Sequence, residues 1–527
     1  MCGFLVVANN KIIKEIFTKC LDTCNYRGPD YQTILEDTMI WGFNRLAIMD
    51  LSKNGNQPFT QQGSLLVCNG EIYNYKKLSK LVADSHDFIS NSDCEVLLPL
   101  YHKYGLEIMC SFLDAEFAFV LHDKHKNSIM AARDPIGIRP MFYGYYKDTH
   151  EICFSSEAKG LLDICDNIQP FPPGHYYKDG EFICYHNISK VSSRHLDSVE
   201  TIANSLRSKL EYAVKKRLQS DAPIGFLLSG GLDSSLVCAI ASKIATEPIR
   251  TFAVGMESDP IDLQYAKQVA EYLQTNHTEV IITKKAVLHA IKKVIYHLET
   301  YDITTIRASI AMYLLCQYIR KNTDIKVLLT GEVSDELFGY KYTDYAPSPK
   351  AFQQEAQKRL SELYMYDVLR ADRCISAHSL EGRVPFADID FVKYAMAIDP
   401  SKKMNSYQKG KYLLRNAFSG IEYLPEDILF REKAAFSDAV GHSMVDYIKQ
   451  YADTLYSEDD VKKAKHKYPH CTPFTKEALL YRDIFESYYP KQSHWITNYW
   501  MPNKTWENCN VDDPSARVLK NYGDSGK

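Results

Sequence analysis

The sequence predicts a mixed α/β and α+β protein of two domains, and three observations support this. Short apolar runs separated by turns fill the first 187 residues, a polar stretch follows at 188–200, and beyond it strands alternate with helical periodicity.

In the first region, residues 4–8, 64–68, 115–121 and 151–154 read as strands, with Arg27-Gly28-Pro29-Asp30 and Pro172-Pro173-Gly174 as turns. Ser189, Lys190, Ser192, Ser193, Arg194 and His195 mark the boundary between domains at 2–187 and 200–527. Ile202, Leu206, Leu210, Ala213 and Val214 then fall on one face of a helix. A strand at 224–228 precedes a helix from about Ser234, a strand at 251–254 precedes a helix near 262–274, and a third strand at 326–329 runs into a glycine-containing turn. Such alternation favours a parallel sheet covered by helices.

Composition narrows the function. With 62 basic and 66 acidic side chains, net charge offers nothing to nucleic acid or to a membrane surface. No apolar run approaches the roughly 18–20 residues of a membrane span, and the N-terminus lacks the order of a secretory signal, so the cytosol is the expected compartment. Fourteen cysteines in 527 residues are too sparse for a disulfide scaffold and read as small buried hydrophobes. Cys20 and Cys24 lack a second pair with zinc spacing, so no structural metal is expected.

Cys2 is different, because it follows the initiator Met and is small enough to permit methionine removal. Removal would leave a free α-amine, whose ordinary pKa of roughly 7.7–8.0 lets it serve as base to its own thiol. After Cys2-Gly3 come Arg27-Gly28-Pro29-Asp30, Asn44-Arg45-Leu46, Asn69-Gly70-Glu71-Ile72-Tyr73-Asn74 and Arg133-Asp134-Pro135-Ile136-Gly137. In that order they resemble the class II glutamine amidotransferase domain, which implies an αββα sandwich of the N-terminal-nucleophile hydrolase type. The set suits glutamine. Arg45, with Leu46, Ala47, Ile48 and Met49 beside it, can take the α-carboxylate by a two-pronged contact, and Glu71 and Asp93 can take the ammonium. Asn69 and the Gly70 N–H would stabilise the oxyanion formed on attack by Cys2. Asn69-Gly70 also reads as an ordinary hairpin turn.

In the second region, Ser229-Gly230-Gly231-Leu232-Asp233-Ser234-Ser235 follows a strand and opens a helix. Backbone N–H groups and the hydroxyls of Ser229, Ser234 and Ser235 form an anion cradle there. Asp233 inside an anion site reads as a Mg²⁺ ligand or as a helix cap. The turn resembles the pyrophosphate loop of enzymes that cleave ATP between the α- and β-phosphates, which implies a doubly wound parallel sheet. By that resemblance Leu227 and Val254 would lie against adenine or ribose, although both also read as core.

Tyr301-Asp302-Ile303-Thr304-Thr305-Ile306-Arg307, Thr330-Gly331-Glu332-Val333-Ser334-Asp335-Glu336, Leu380-Glu381-Gly382-Arg383-Val384-Pro385-Phe386, Arg431-Glu432-Lys433, Tyr499-Trp500-Met501-Pro502 and Asp512-Asp513-Pro514-Ser515-Ala516-Arg517 extend the pattern. With Cys2 and the anion turn they resemble glutamine-hydrolysing asparagine synthetases nearly end to end. The resemblance implies aspartate, ATP and glutamine as substrates, Mg²⁺ as cofactor, a β-aspartyl adenylate, and ammonia passed internally between domains. Lys433 would neutralise the adenylation transition state, Asp233 and Asp335 would hold Mg²⁺, and Glu332 would act as base toward ammonia. Thr330 and Gly331 would border ATP, and Thr305 and Arg307 would position aspartate. A homodimer is compatible with this reading.

Two departures fall in one loop. The family usually reads Gly-Glu-Gly-Ser-Asp-Glu where Val333 replaces the middle glycine, and Phe338-Gly339-Tyr340 lacks an extra glycine before the tyrosine. If position 333 needs positive φ, valine strains it by roughly 1–3 kcal/mol. The competing readings are a catalytically weakened homologue, a β-lactam synthetase-like adenylating enzyme and a tRNA-modifying one. Intact Cys2, Arg45 and Asn69 argue against the second, and the lack of a basic face argues against the third.

Overall fold

Two six-stranded antiparallel sheets and one five-stranded parallel sheet organise the chain. The computed structural model describes residues 1–258, 260–407, 409–432 and 442–523. The first sheet runs Cys165–Pro170, Phe142–Tyr146, Ile152–Ser155, Gly3–Val7, Ile40–Arg45, Tyr31–Glu36. The second runs Glu181–Cys184, His175–Lys178, Ser128–Arg133, Ala115–Asp123, Ser64–Ile72, Phe59–Gln61.

Strand alternation explains how these sheets stack. Phe4, Val6, Trp41 and Phe43 of the first sheet share a core with Leu65, Val67, Ala118 and Val120 of the second. The opposite faces are apolar as well. Leu66, Cys68, Phe117 and Phe119 pack with residues of the helices Leu97–Tyr104 and Leu106–Phe112, and Leu5 and Val7 pack with Phe17 and Leu21 of the helix Lys14–Asp22. Strands buried on both faces between outer helices give the expected αββα sandwich.

The parallel sheet has the order Asn276–Ile282, Arg250–Met256, Ile224–Leu227, Val327–Leu329, Glu381–Arg383. One face packs in a core with the helices Lys284–Leu298 and Ile303–Asn322, and the other with the helices Val199–Arg217, Leu232–Ile244 and Ile261–Leu273, as a doubly wound sheet requires. On Val199–Arg217 the predicted stripe Ile202, Leu206, Leu210, Ala213 and Val214 is fully buried. Successive strands move outward in one direction from Ile224–Leu227 and then reverse to Val327–Leu329 on its other side. That reversal opens a crevice at the carboxyl ends of these two strands, where such sheets bind ligands.

All fourteen cysteines are free, and all but Cys2, Cys184 and Cys471 are buried. Among the described residues no helix is long and apolar enough to cross a membrane.

Candidate active sites

Cys2 immediately precedes the central strand Gly3–Val7, whose Gly3 pairs with Asn44 beside Arg45. Its carbonyl accepts a hydrogen bond from Arg27 Nε at 2.8 Å, and its Sγ lies 3.7 Å from the Leu46 carbonyl. Burial pushes the thiol up to about 11, while the terminal ammonium, the Leu46 contact and Arg45 pull the other way. With Met1 in place the terminal amine belongs to that residue. It is buried, and its pKa falls to about 6.

Asn69, Gly70 and Glu71 lie within the strand Ser64–Ile72, opposite Ala118, Phe117 and Glu116. The hairpin reading of Asn69-Gly70 is therefore wrong, because nine strand residues run through it in register. Among the described residues neither amide atom of the buried Asn69 has a protein hydrogen-bond partner, which leaves both available to a bound ligand or water. Asp93 accepts the Ile72 N–H at 2.6 Å, and burial lifts its pKa to about 6. Burial also raises Glu71, whose carboxylate sits 2.9 Å from Arg383 of the second domain.

Arg45 is more constrained than expected. Its Nη1 donates to Ser52 O at 2.6 Å and Asn56 Oδ1 at 2.7 Å, and its Nη2 donates to the Met49 and Asp50 carbonyls. A two-pronged contact from these nitrogens must share or displace loop acceptors, so Arg45 shapes the loop as much as it offers charge. Ala47 and Ile48 tie the same loop to the second domain: the Ala47 carbonyl accepts from Lys326 at 3.5 Å and the Ile48 carbonyl accepts from the Asp221 N–H at 3.1 Å.

The second site is a cleft, open to solvent, at the sheet's switch point. Leu227, Ser229, Gly231, Asp233, Ser234, Val254, Thr330, Gly331, Glu332 and Asp335 all line it. Gly231 caps the thirteen-residue helix Leu232–Ile244, and Ser229 and Ser234 exchange a hydroxyl contact at 3.0 Å across the turn. Gly230 has φ +70, and a Cβ there would strike Ala266 N at 2.5 Å. Gly331 approaches the turn so closely that a Cβ would meet Ser234 N at 2.7 Å. Gly230 and Ser235 lie behind the cleft surface rather than on it, and the Ser235 hydroxyl is fully buried.

The two aspartates do converge, but a lysine joins them. Lys411 Nζ lies 2.8 Å from both Asp233 oxygens and 2.6 Å from Asp335, and Ser334 Oγ donates to Asp233 at 2.7 Å. The expected cation position thus has a built-in ammonium. Among the described residues no group of three or more His, Cys, Asp and Glu side chains is arranged to hold a metal. Two carboxylates beside an anion turn still match Mg²⁺, which completes its shell with phosphate oxygens and water. Glu332 accepts from Arg370 Nη2 at 2.5 Å, and burial raises its pKa. Lys433 lies outside the described residues.

Thr305 and Arg307 are both held by protein partners, and only Arg307 lines the cleft. Thr305 Oγ1 donates to Asp302 Oδ2 at 2.8 Å inside the helix cap and does not line the cleft, whereas Thr304 does. Arg307 borders the cleft with its donors committed: to Glu477 at 2.8 Å through Nε, to Asp513 at 2.8 Å and to Ser515 at 2.8 Å. It anchors the C-terminal segment, whose Trp500, Pro514, Ser515 and Ala516 complete the cleft wall.

Lys411, Arg370 and Arg415 were missed, although Lys409-Gly410-Lys411 at the start of the helix Tyr412–Phe418 offered a signal. Val333, by contrast, has φ +80 and ψ −17, the left-handed conformation anticipated for a glycine position.

Comparison with known proteins agrees with this geometry. Residues 205–350 and 344–512 match the asparagine synthase family, and residues 1–207 match the glutamine amidotransferase domain. A probable glutamine-hydrolysing asparagine synthetase of Acanthamoeba polyphaga mimivirus is 42% identical over 98% of this chain and 100% of its own length. One from Dictyostelium discoideum is 41% identical over 99% of each chain, and the Homo sapiens asparagine synthetase is 39% identical over 99% of each. Full-length identity at this level, on two domains that carry the two sites described, makes the chain a member of the asparagine synthetase family.

Proposed function

We propose that the chain makes asparagine from aspartate and ATP, with nitrogen released from glutamine at Cys2. The observation that carries the reading is a convergence: an anion turn, two lysine-bridged aspartates and the part-buried Glu332 meet in one cleft. The other domain of the same chain holds Cys2 and the Asn69 amide, which has no hydrogen-bond partner among the described residues.

Loss of Met1 would put the α-amine on Cys2 itself, where it can take the thiol proton as sulfur attacks the glutamine amide carbon. Asn69 and the Gly70 N–H would hold the oxyanion, Arg45 the α-carboxylate, and Glu71 with Asp93 the ammonium. Ammonia leaves, and water then releases glutamate from the thioester. In the cleft the aspartate β-carboxylate attacks the ATP α-phosphorus, pyrophosphate departs, and ammonia displaces AMP from the adenylate. The serine–glycine turn with Lys411 and Lys433 would carry phosphate charge, and the upward shift of Glu332 suits it to remove a proton as ammonia adds. Asp233 and Asp335 would hold Mg²⁺, which when bound supplies charge neutralisation on the pyrophosphate.

The test combines intact-mass measurement with amide-¹⁵N glutamine. Protein lacking Met1 should place the label in asparagine and release pyrophosphate, and Cys2→Ala should abolish transfer while ammonia still supports synthesis. Retained Met1, or unlabelled asparagine, would sink the scheme.

A further inference from the structure

Glu71 lies in the glutamine-binding domain, yet its charge partner does not. Arg383 ends the strand Glu381–Arg383 at the edge of the parallel sheet and is fully buried. Its guanidinium is fixed on three sides: Nε donates to Glu381 at 2.8 Å, and Nη1 donates to the Arg217 carbonyl at 2.9 Å and the Gln219 carbonyl at 2.5 Å. The remaining nitrogen, Nη2, forms an ion pair with Glu71 Oε2 at 2.9 Å, without hydrogen-bond alignment. Meanwhile the Arg383 backbone carbonyl accepts the Thr330 N–H at 3.1 Å, at the start of the loop that carries Gly331, Glu332 and Val333 into the ATP cleft.

We propose that Arg383 is a positioning residue that completes the glutamine site from the synthetase domain and links that site to the loop at residues 330–335. The proposal rests on the assignment of Glu71 to the glutamine ammonium. Three hydrogen bonds hold the guanidinium in place, so its positive charge stands at one fixed point against the Glu71 carboxylate. A lysine offers one point charge and cannot reproduce that fork. Because the same residue's main chain holds Thr330, a shift of the strand on filling the cleft is felt at Glu71, and the reverse follows by thermodynamic reciprocity.

The test is a cycle of Arg383→Lys, Glu71→Gln and the double variant in the full chain. Glutamine KM and kcat are measured with and without ATP plus aspartate, and ammonia-dependent synthesis serves as the control for folding. Arg383→Lys should raise glutamine KM about tenfold (~1.4 kcal/mol by the conversion of a tenfold ratio), with kcat and ammonia-dependent synthesis within about twofold. Its effect should vanish in the Glu71→Gln background, and any change that ATP plus aspartate make in glutamine KM should disappear in Arg383→Lys. Additive effects in the double variant would overturn the proposal, and so would an unchanged KM in Arg383→Lys. If ammonia-dependent synthesis collapses together with glutaminase activity, Arg383 is a structural residue and the proposal is likewise overturned. Failure of the unaltered chain to hydrolyse glutamine would instead refute the assignment of Glu71.

Discussion

Val333 offers a direct measurement of stored backbone strain. It has φ +80 with only 2% of its surface exposed, and it immediately precedes the helix Ser334–Phe338 in the loop that lines the cleft. A β-branched side chain in this region is strained by about 1–3 kcal/mol. Val333→Gly relieves that strain, but it also loses about 1.5–3 kcal/mol of buried side chain. Glycine's larger freedom in the unfolded chain costs about 0.5–1 kcal/mol more. Val327 supplies the reference: it is fully buried in the strand Val327–Leu329, with no positive φ to relieve. Val327→Gly suffers the same losses without the gain, so the difference between the two variants isolates the strain at about 1–3 kcal/mol. At roughly 1.5 °C per kcal/mol for a domain of this size, Val333→Gly should unfold about 2–4 °C above Val327→Gly. Scanning calorimetry of both variants gives this directly, as transition temperatures rather than free energies, because a two-domain chain need not unfold in one step. If Val333→Gly unfolds at or below Val327→Gly, the strained loop is refuted.

Three further outcomes follow from the sites. Lys411→Met should slow pyrophosphate release from ATP and aspartate about 100-fold, near 2.7 kcal/mol of barrier, because it removes the ammonium that stands between Asp233 and Asp335; release at an unaltered rate would mean that Lys411 is only a packing residue. Burial raises Asp93 to about 6, and its ionised form is the one that can bind an ammonium, so kcat/KM for glutamine should fall as pH drops through about 6, with the acid limb missing in Asp93→Asn. Arg307→Lys leaves the buried Glu477 poorly paired, at about 3–5 kcal/mol for a fully broken buried pair, and takes one of two cations from the part-buried Asp513, so limited proteolysis should then trim the C-terminal segment; a rise in aspartate KM with an unchanged transition temperature would return Arg307 to substrate binding.

What could be read in the sequence was what is local in the chain. The anion turn is seven consecutive residues at a strand–helix junction, and the parallel strands near 224, 251 and 327 announce themselves by the helices between them. Strands such as Ile40–Arg45 and Ser128–Arg133 were not anticipated, because burial on both faces removes the alternation that marks a half-exposed strand. Lys411 was invisible for a different reason: it meets Asp233 from 178 positions away, through tertiary folding alone. The inward placement of Thr305 was legible in the sequence. Asp302 caps the helix and accepts from the N–H and hydroxyl of the residue three positions on, so cap geometry turns Thr305 inward and leaves Thr304 for the cleft.

The two domains meet through buried charge as well as apolar surface, and this bears on how the sites are held relative to each other. Arg27 and Glu157 of the first domain interlock with Asp372 and Arg373 of the second, with contacts of 2.6–2.9 Å and no side chain more than 2% exposed. Arg217 of the second domain likewise bridges Glu116 of the first at 3.0 Å and Asp388 of its own domain at 3.1 Å. Such networks contribute little net stability, because desolvation offsets most of the Coulomb gain, but breaking one partner strands a charge at about 3–5 kcal/mol. An apolar interface can slide at small cost, whereas a set of paired charges has one register in which every member is satisfied. Ammonia released at one site must reach the other before water protonates it. An interface that tolerates only one alignment is suited to that demand, and it also explains why Glu71 can depend on an arginine from across the boundary.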